Sequence, residues 1–336
     1  MVRAAIDRFP PAPVERLCFG TPDASAIAAR LDEFLRRELG AGIDEPCFYV
    51  TSVGCVLGAV LDDRRRVVVK AHQPGSDPDQ LAAVQRVQRH LGAHGFPAPA
   101  PIAGPAPLVA GLATVETMLE GGAIPDARQP SIRRAIATWL RRLLTLTAGF
   151  ARDPALARRV IPRGDPARVF PPPHSPVFDF EATRDGAEWI EALGAEAAAV
   201  VDDEGGAAEV VSHVDWRVEH LRSVGDRLVA VFDWDSLRTD REAAAVGQVA
   251  HGFTIDWGAA EAHVPTLDEA AAFVRDYERA RGAPFTDREW RVAKAAWVYA
   301  TAYGARCEHA LLGAAVAPVP GAFRARLAAH GAEWLR

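Results

Sequence analysis

The chain has 336 residues, of which 49% are hydrophobic and 24% charged, with a formal net charge of −6. That length allows one large core or two lobes, and the composition is that of a folded globular protein. The acidic balance and the lack of a dense Lys/Arg block exclude binding to a nucleic-acid backbone, which needs clustered cations. No apolar run reaches the roughly 18 residues of a spanning helix and the N-terminus shows no signal pattern, so a cytoplasmic protein with no membrane partner is expected. Cys18, Cys47, Cys55 and Cys307 are scattered, which fits neither a zinc cluster nor a disulfide framework, and reduced thiols are expected.

Residues 1–20 are rich in proline and read as an irregular arm. From Pro22 the apolar residues Ile27, Leu31, Phe34, Leu35 and Leu39 recur at helical spacing and stop at Gly40, which can close a helix in the left-handed region. Three short β-prone runs follow, Cys47 to Thr51, Gly58 to Leu61 and Arg66 to Ala71. The last two are separated by Asp62-Asp63, and the three together read as an antiparallel meander. A helix is expected over Asp77 to His94, then a proline-rich stretch from Phe96 to Pro107 and a strand from Ala113 to Leu119.

Beyond Gly121 the pattern is mainly helical. Ile132, Ile136, Trp139, Leu140, Leu143 and Leu144 form one apolar stripe. The segment Ile161 to Phe180 holds six prolines without periodicity and reads as a long loop, either over a ligand or as a surface connector. A helix near Glu188 to Val201 precedes strands at Val210 to Ser212 and Leu228 to Phe232, with a Gly225-Asp226 turn between them. The last hundred residues return to helix. Thr266 with Glu269 and Thr286 with Glu289 have capping-box spacing, and Phe285 with Trp290 fits a hydrophobic staple.

The chemistry concentrates in His213-Val-Asp-Trp-Arg-Val-Glu-His220 and, after a polar turn, in Leu228-Val-Ala-Val-Phe-Asp-Trp-Asp235. Asp215 and Asp233 each follow a short apolar strand, and a hairpin-like return would bring them together. Phosphoryl transfer needs such a pair, one carboxylate to orient and deprotonate the attacking hydroxyl and one to hold the metal bridging the β- and γ-phosphates. Lys70, the only lysine of the first lobe, ends a run of three valines. The remaining histidines are isolated, and the tryptophans Trp216, Trp234, Trp257, Trp290 and Trp297 read as core anchors. Asp235 reads as structural, capping the next turn. Asp256, Glu261 and Glu308 are either liners of a pocket for a cationic substrate or solvated surface.

The H-x-D-x-x-x-x motif followed by a strand ending in D-W-D resembles the aminoglycoside phosphotransferases and related small-molecule kinases. The resemblance implies an α+β, bilobal protein-kinase-like fold, with a small β-rich N-terminal lobe (1–119) and a larger, mainly helical C-terminal lobe (120–336). It further implies ATP and Mg2+ (or Mn2+) as cofactors and a small-molecule hydroxyl as acceptor, with an aminoglycoside-like antibiotic as the leading class. Carried over by position, Asp215 is the catalytic aspartate, Asp233 the metal ligand and His213 a structural residue of the loop. Lys70 would bind the α- and β-phosphates, the turn containing Ser52 and Gly54 would cover the nucleotide, and the backbone of Met118, Glu120 and Gly121 would meet the adenine.

Three departures stand out. His220 occupies the place of a metal-binding asparagine, although imidazole suits magnesium poorly; His220 itself, Glu219 or water would then complete the site beside Asp233. The helix that should present a glutamate to Lys70 offers Val84, Gln85 and Gln88, which suggests an amide hydrogen bond in place of an ion pair. Arg217 stands where many relatives have histidine and would reach the transferring phosphate. These departures keep open a noncatalytic nucleotide- or ligand-binding protein of the same fold, and choline- or sugar-type kinases share the chemistry. A zinc hydrolase built on His213, Asp215 and His220 is disfavoured for want of a third imidazole at ligand spacing.

Overall fold

A computed structural model describes residues 12–157, 159, 161, 168–203, 209–314 and 321–336. Residues 1–11 of the proline-rich arm and 162–167 of the long loop lie outside the described residues. Contacts divide the chain into two compact units. The first takes in the described residues up to Ala93, with Ala98–Glu120 and His174–Val177. The second takes in His94–Pro97 and the described parts of Gly121–Pro173 and Phe178–Arg336.

In the first unit, part of the arm expected to be irregular is helical. α1 (Pro13–Phe19) begins on a proline, whose fixed φ and missing N–H suit a first helical turn. α2 (Ala24–Leu39) is capped by Asp23, which accepts from the Ala26 N–H, and ends on Gly40 at φ 73°. The strands β1 (Ile43–Thr51), β2 (Cys55–Leu61) and β3 (Arg66–Ala71) form the expected meander. β5 (Gly111–Thr117) pairs with β3, and the sheet order is β1-β2-β3-β5-β4. β4 (Pro101–Leu108) is a correction, because the proline-rich stretch was not expected to be a strand. It lies at the sheet edge, where one side of the backbone needs no ladder partner and proline is tolerated.

Leu57, Ala59, Val67, Val69, Ala113 and Val115 fill one face of this sheet against Ile27, Leu31, Phe34 and Leu35 of α2. Alternation along the strands therefore turns Val68, Lys70 and Glu116 to the other face. Onto that side comes α3 (Pro78–Ala93), whose Gln85 donates to the carbonyl of Ala103 in β4.

The second unit is built on the 26-residue α8 (Asp287–Leu312). Around it pack α5 (Glu188–Asp203), α6 (Glu242–Ala250) and α9 (Phe323–Trp334), while α4 (Pro130–Thr147) pairs with α7 (Leu267–Arg281). Both capping boxes form, at Thr266/Glu269 and Thr286/Glu289. Gly247 lets α6 approach α8 closely, since a Cβ there would lie 2.1 Å from the carbonyl oxygen of Ala293.

The strands of this unit differ from expectation. β6 (Glu209–His213) does not pair with the later apolar strand; its partner is β9 (Leu237–Arg241), which was not foreseen. The turn Gly225-Asp226 instead joins β7 (Leu221–Val224) to β8 (Arg227–Val231) in a second two-stranded sheet. Asp215 and Asp233 thus follow strands of different sheets. Among the described residues no helix is long and apolar enough to cross a membrane.

Candidate active site

Two histidines bring the segments carrying the aspartates together by bonding both backbone groups of Phe232. His213, at the end of β6, donates through Nε2 to the Phe232 carbonyl at 2.7 Å, while the Phe232 N–H donates to the His220 carbonyl at 2.9 Å. A carbonyl only accepts, so Nε2 of His213 carries the proton and Nδ1 accepts from Ser236 Oγ at 3.0 Å. The ring is fully buried between Trp216 and Trp234, with centroids 5.9 and 5.4 Å away. Burial, with the neighbouring His220, lowers its pKa to about 4, so it is neutral near pH 7. With both nitrogens engaged, His213 cannot ligate zinc, and the hydrolase reading falls.

Trp216 and Trp234 act as anchors. Their indole N–H groups donate to the Ile136 and Val231 carbonyls, and Phe96 lies against both rings. Trp297 is also buried, but Trp257 is 48% exposed, against the expectation of a core residue.

His220 links the backbone of Asp215 to the carboxylate side of Asp233. Its Nδ1 donates to the backbone carbonyl of Asp215 at 2.9 Å, and its Nε2 lies 3.8 Å from Asp233 Oδ2 and 3.4 Å from Glu219 Oε1. Asp233 holds a left-handed backbone at φ 65°, uncommon outside glycine and a recurrent mark of functional sites. Asp235 lies inside the short 3₁₀ turn Trp234–Ser236, whose first residue is preceded by Asp233 as cap.

Arg217 does not stand free to await a phosphate. Its Nε donates to Glu219 Oε1 at 2.5 Å and its Nη1 to Asp215 Oδ1 at 3.3 Å. Burial opposes the guanidinium charge, but Asp215 and Glu219 outweigh it and raise the Arg217 pKa above its ordinary value. Glu219 Oε2 also accepts the backbone N–H of Trp257 at 2.7 Å. Among the described residues no group of three or more His, Cys, Asp or Glu side chains is arranged to hold a metal ion.

Of the pocket-lining acids, Glu308 is a correction. Its two oxygens accept the N–H groups of Phe323 and Arg324 at the start of α9, so it caps that helix. Glu261 is exposed, and Asp256 accepts the Gly258 N–H.

In the first unit, Lys70 lies 8% exposed on β3 with its Nζ 3.9 Å from Glu116 Oε1 on β5. Sequence reasoning missed this carboxylate because it searched the helix; the polar alternation Thr114, Glu116 along β5 was the available signal. Gln88 of α3 donates to Glu116 Oε2 at 2.8 Å, so its amide meets the acid. The turn Ser52–Gly54 joins β1 to β2, and a Cβ at Gly54 would lie 2.5 Å from the Ala71 carbonyl oxygen, which only glycine avoids.

That turn is strapped by the late segment His174–Val177. Ser175 Oγ donates to the Ser52 carbonyl at 3.2 Å, and Gln73 Nε2 donates to the carbonyls of Val53 and His174. The Met118 N–H is engaged by the Arg66 carbonyl at 3.0 Å. Glu120 pairs with Arg66 at 2.5 Å, and Gly121 has φ 88°.

No curated protein matches the chain. Among solved structures, amicoumacin kinase hAmiN with AMP-PNP, Ca2+ and Ami is similar, at 12% identity and TM-score 0.65, over 93% of this chain and 96% of that one. A macrolide 2'-phosphotransferase type I aligns at 16% identity and TM-score 0.55, over 88% and 99%. Spectinomycin phosphotransferase APH(9)-Ia with ADP and spectinomycin aligns at 12% and 0.55, over 92% and 93%. These likenesses show a shared α+β, protein-kinase-like fold. The family described as "Phosphotransferase enzyme family" matches residues 58–297, well over half of the chain, and the protein therefore belongs to it.

Proposed function

We propose that the protein is an ATP-dependent kinase of small molecules, transferring the γ-phosphoryl group to a hydroxyl. The observation that carries this reading is the gathering of both aspartates about one imidazole: His220 Nδ1 donates to the backbone carbonyl of Asp215, and its Nε2 lies 3.8 Å from Asp233 Oδ2. Asp215 orients the acceptor hydroxyl and takes its proton. Arg217 steadies that carboxylate and adds positive charge beside it. Lys70 binds the nucleotide phosphates as a point charge.

Asp233 would hold a divalent cation, which when bound neutralises charge on the β- and γ-phosphates. One carboxylate fits magnesium, whose remaining ligands are normally waters and substrate phosphates. Nε2 of His220 adds a nitrogen donor better matched to manganese. The ligands named for the similar structures, AMP-PNP with Ca2+ in one and ADP in another, support a nucleotide with a cation.

The acceptor we favour is an aminoglycoside-like or other hydroxylated antibiotic, supported by the amicoumacin, macrolide and spectinomycin kinases among the similar structures. A choline- or sugar-type acceptor is the same chemistry in another pocket. A second reading, a nucleotide-binding protein that transfers nothing, draws on His220 and on the absence of a carboxylate from α3 facing Lys70. The test is transfer from γ-labelled ATP to a panel of hydroxylated antibiotics, choline and sugars, with Asp215→Ala as control. Transfer by wild type alone supports the kinase; nucleotide binding with no transfer to any acceptor favours the second reading. Failure to bind ATP with Mg2+ or Mn2+ at millimolar concentration refutes both.

A further inference from the structure

We infer that Glu116 is the residue that positions Lys70 for the nucleotide and that Gln88 in turn positions Glu116, so that the acid serving the lysine sits on a strand and α3 acts through an amide. The inference rests on the kinase reading above. It begins with strand register. Val68 lies opposite Glu116 and Lys70 opposite Thr114, which makes Lys70 and Glu116 a diagonal pair on one sheet face. The register is held by the valines and alanines of the opposite face, because a slip of one residue would drive Lys70 into the apolar core.

Burial then gives the pair its weight. Lys70 and Glu116 are each 8% exposed and Gln88 3%. An ammonium so far from water requires a compensating charge within reach, and Glu116 Oε1 stands 3.9 Å away. The carboxylate is itself held. Gln88 Nε2 donates to Glu116 Oε2 at 2.8 Å and lies 3.4 Å from the Pro99 carbonyl. Both neighbours are acceptors, which fixes the amide orientation. Gln85 makes a bond to Ala103, so two glutamines of one helix pin α3 to β4 and to Glu116 of β5.

A consequence follows for how the site is assembled. Where a helix carries the acid, the lysine is served only when the helix is in place. Here the acid belongs to the same sheet as the lysine, and the pair is complete once β3 and β5 are registered. Moving the carboxylate from Glu116 to position 88 should keep it within reach of the same ammonium, because residues 88 and 116 already touch.

The experiment measures dissociation constants for a nonhydrolysable ATP analogue with Mg2+ in wild type, Glu116→Gln, the double variant Gln88→Glu/Glu116→Gln, and Lys70→Ala, with denaturation midpoints for each. We expect Glu116→Gln to weaken binding about tenfold, a shift of about 1.4 kcal/mol. The double variant should recover to within about threefold of wild type, a rescue that a merely structural glutamate would not give. Equal affinity in wild type and Glu116→Gln, with Lys70→Ala clearly weaker, overturns the inference and leaves the kinase reading intact. Equal affinity in Lys70→Ala and wild type, or no binding by wild type, sinks both. If Glu116→Gln does not fold, the folded double variant decides, and weak binding by it overturns the inference.

Discussion

Acidification tests the floor of the active site directly. His213 is fully buried, donates to Phe232 and accepts from Ser236, and its pKa is lowered from 6.5 to about 4 by burial first and by His220 second, against the pull of Asp215 and Asp233. In the unfolded chain the same imidazole titrates near its ordinary value. Below that value the unfolded state binds a proton that the folded state refuses, so stability present above pH 6.5 is lost as pH falls toward about 4. Integrating the two titrations from about pH 7.5 to about pH 4.5 gives a loss of about 2.5 kcal/mol from this one side chain. His251, lowered to about 4 by its own burial, contributes in the same window. The assay is urea denaturation of wild type and His213→Gln at a series of pH values. The variant should be less stable at neutral pH, yet its stability should fall by about 2.5 kcal/mol less across the window. Identical pH dependence in the two proteins would refute the claim that His213 is buried and neutral.

Three further outcomes are expected. Asp215→Asn should lower phosphoryl transfer by roughly 10²–10⁴-fold while leaving nucleotide affinity near wild type, as read from turnover and direct binding. Gly247→Ala would force a methyl against the Ala293 carbonyl at 2.1 Å, and overpacking of this kind costs about 1–3 kcal/mol in denaturation experiments. Thr286→Ala removes the acceptor that meets the Glu289 N–H at 3.2 Å; it should cost about 1 kcal/mol and leave kinetic constants unchanged.

Much of the fold was legible because periodicity and caps are local. The stripes of α2 and α4 and the two capping boxes needed nothing beyond their own turns. The stretch holding Asp215 and Asp233 stood out in the sequence, but the strand pairing around it was misread. Pairing of β6 depends on β9, and Leu-Arg-Thr-Asp-Arg does not read as a buried strand: Thr239, Asp240 and Arg241 are all buried, and Thr239 and Arg241 donate to the distant carbonyls of Leu156 and Val201. β4 was hidden by prolines that its edge position tolerates. Glu116 escaped because a lysine's partner across a sheet is set by register, which one strand does not reveal.

The strap at Ser175 bears on how the protein can be dissected. A fragment cut after Glu120 would keep every strand of the first sheet yet lose the hydroxyl that reaches the Ser52 carbonyl and the peptide that accepts from Gln73. Such a piece would carry its β1–β2 hairpin without the tether that belongs to it. Its nucleotide affinity would understate that of the whole chain, for a reason lying more than a hundred residues downstream of the turn itself.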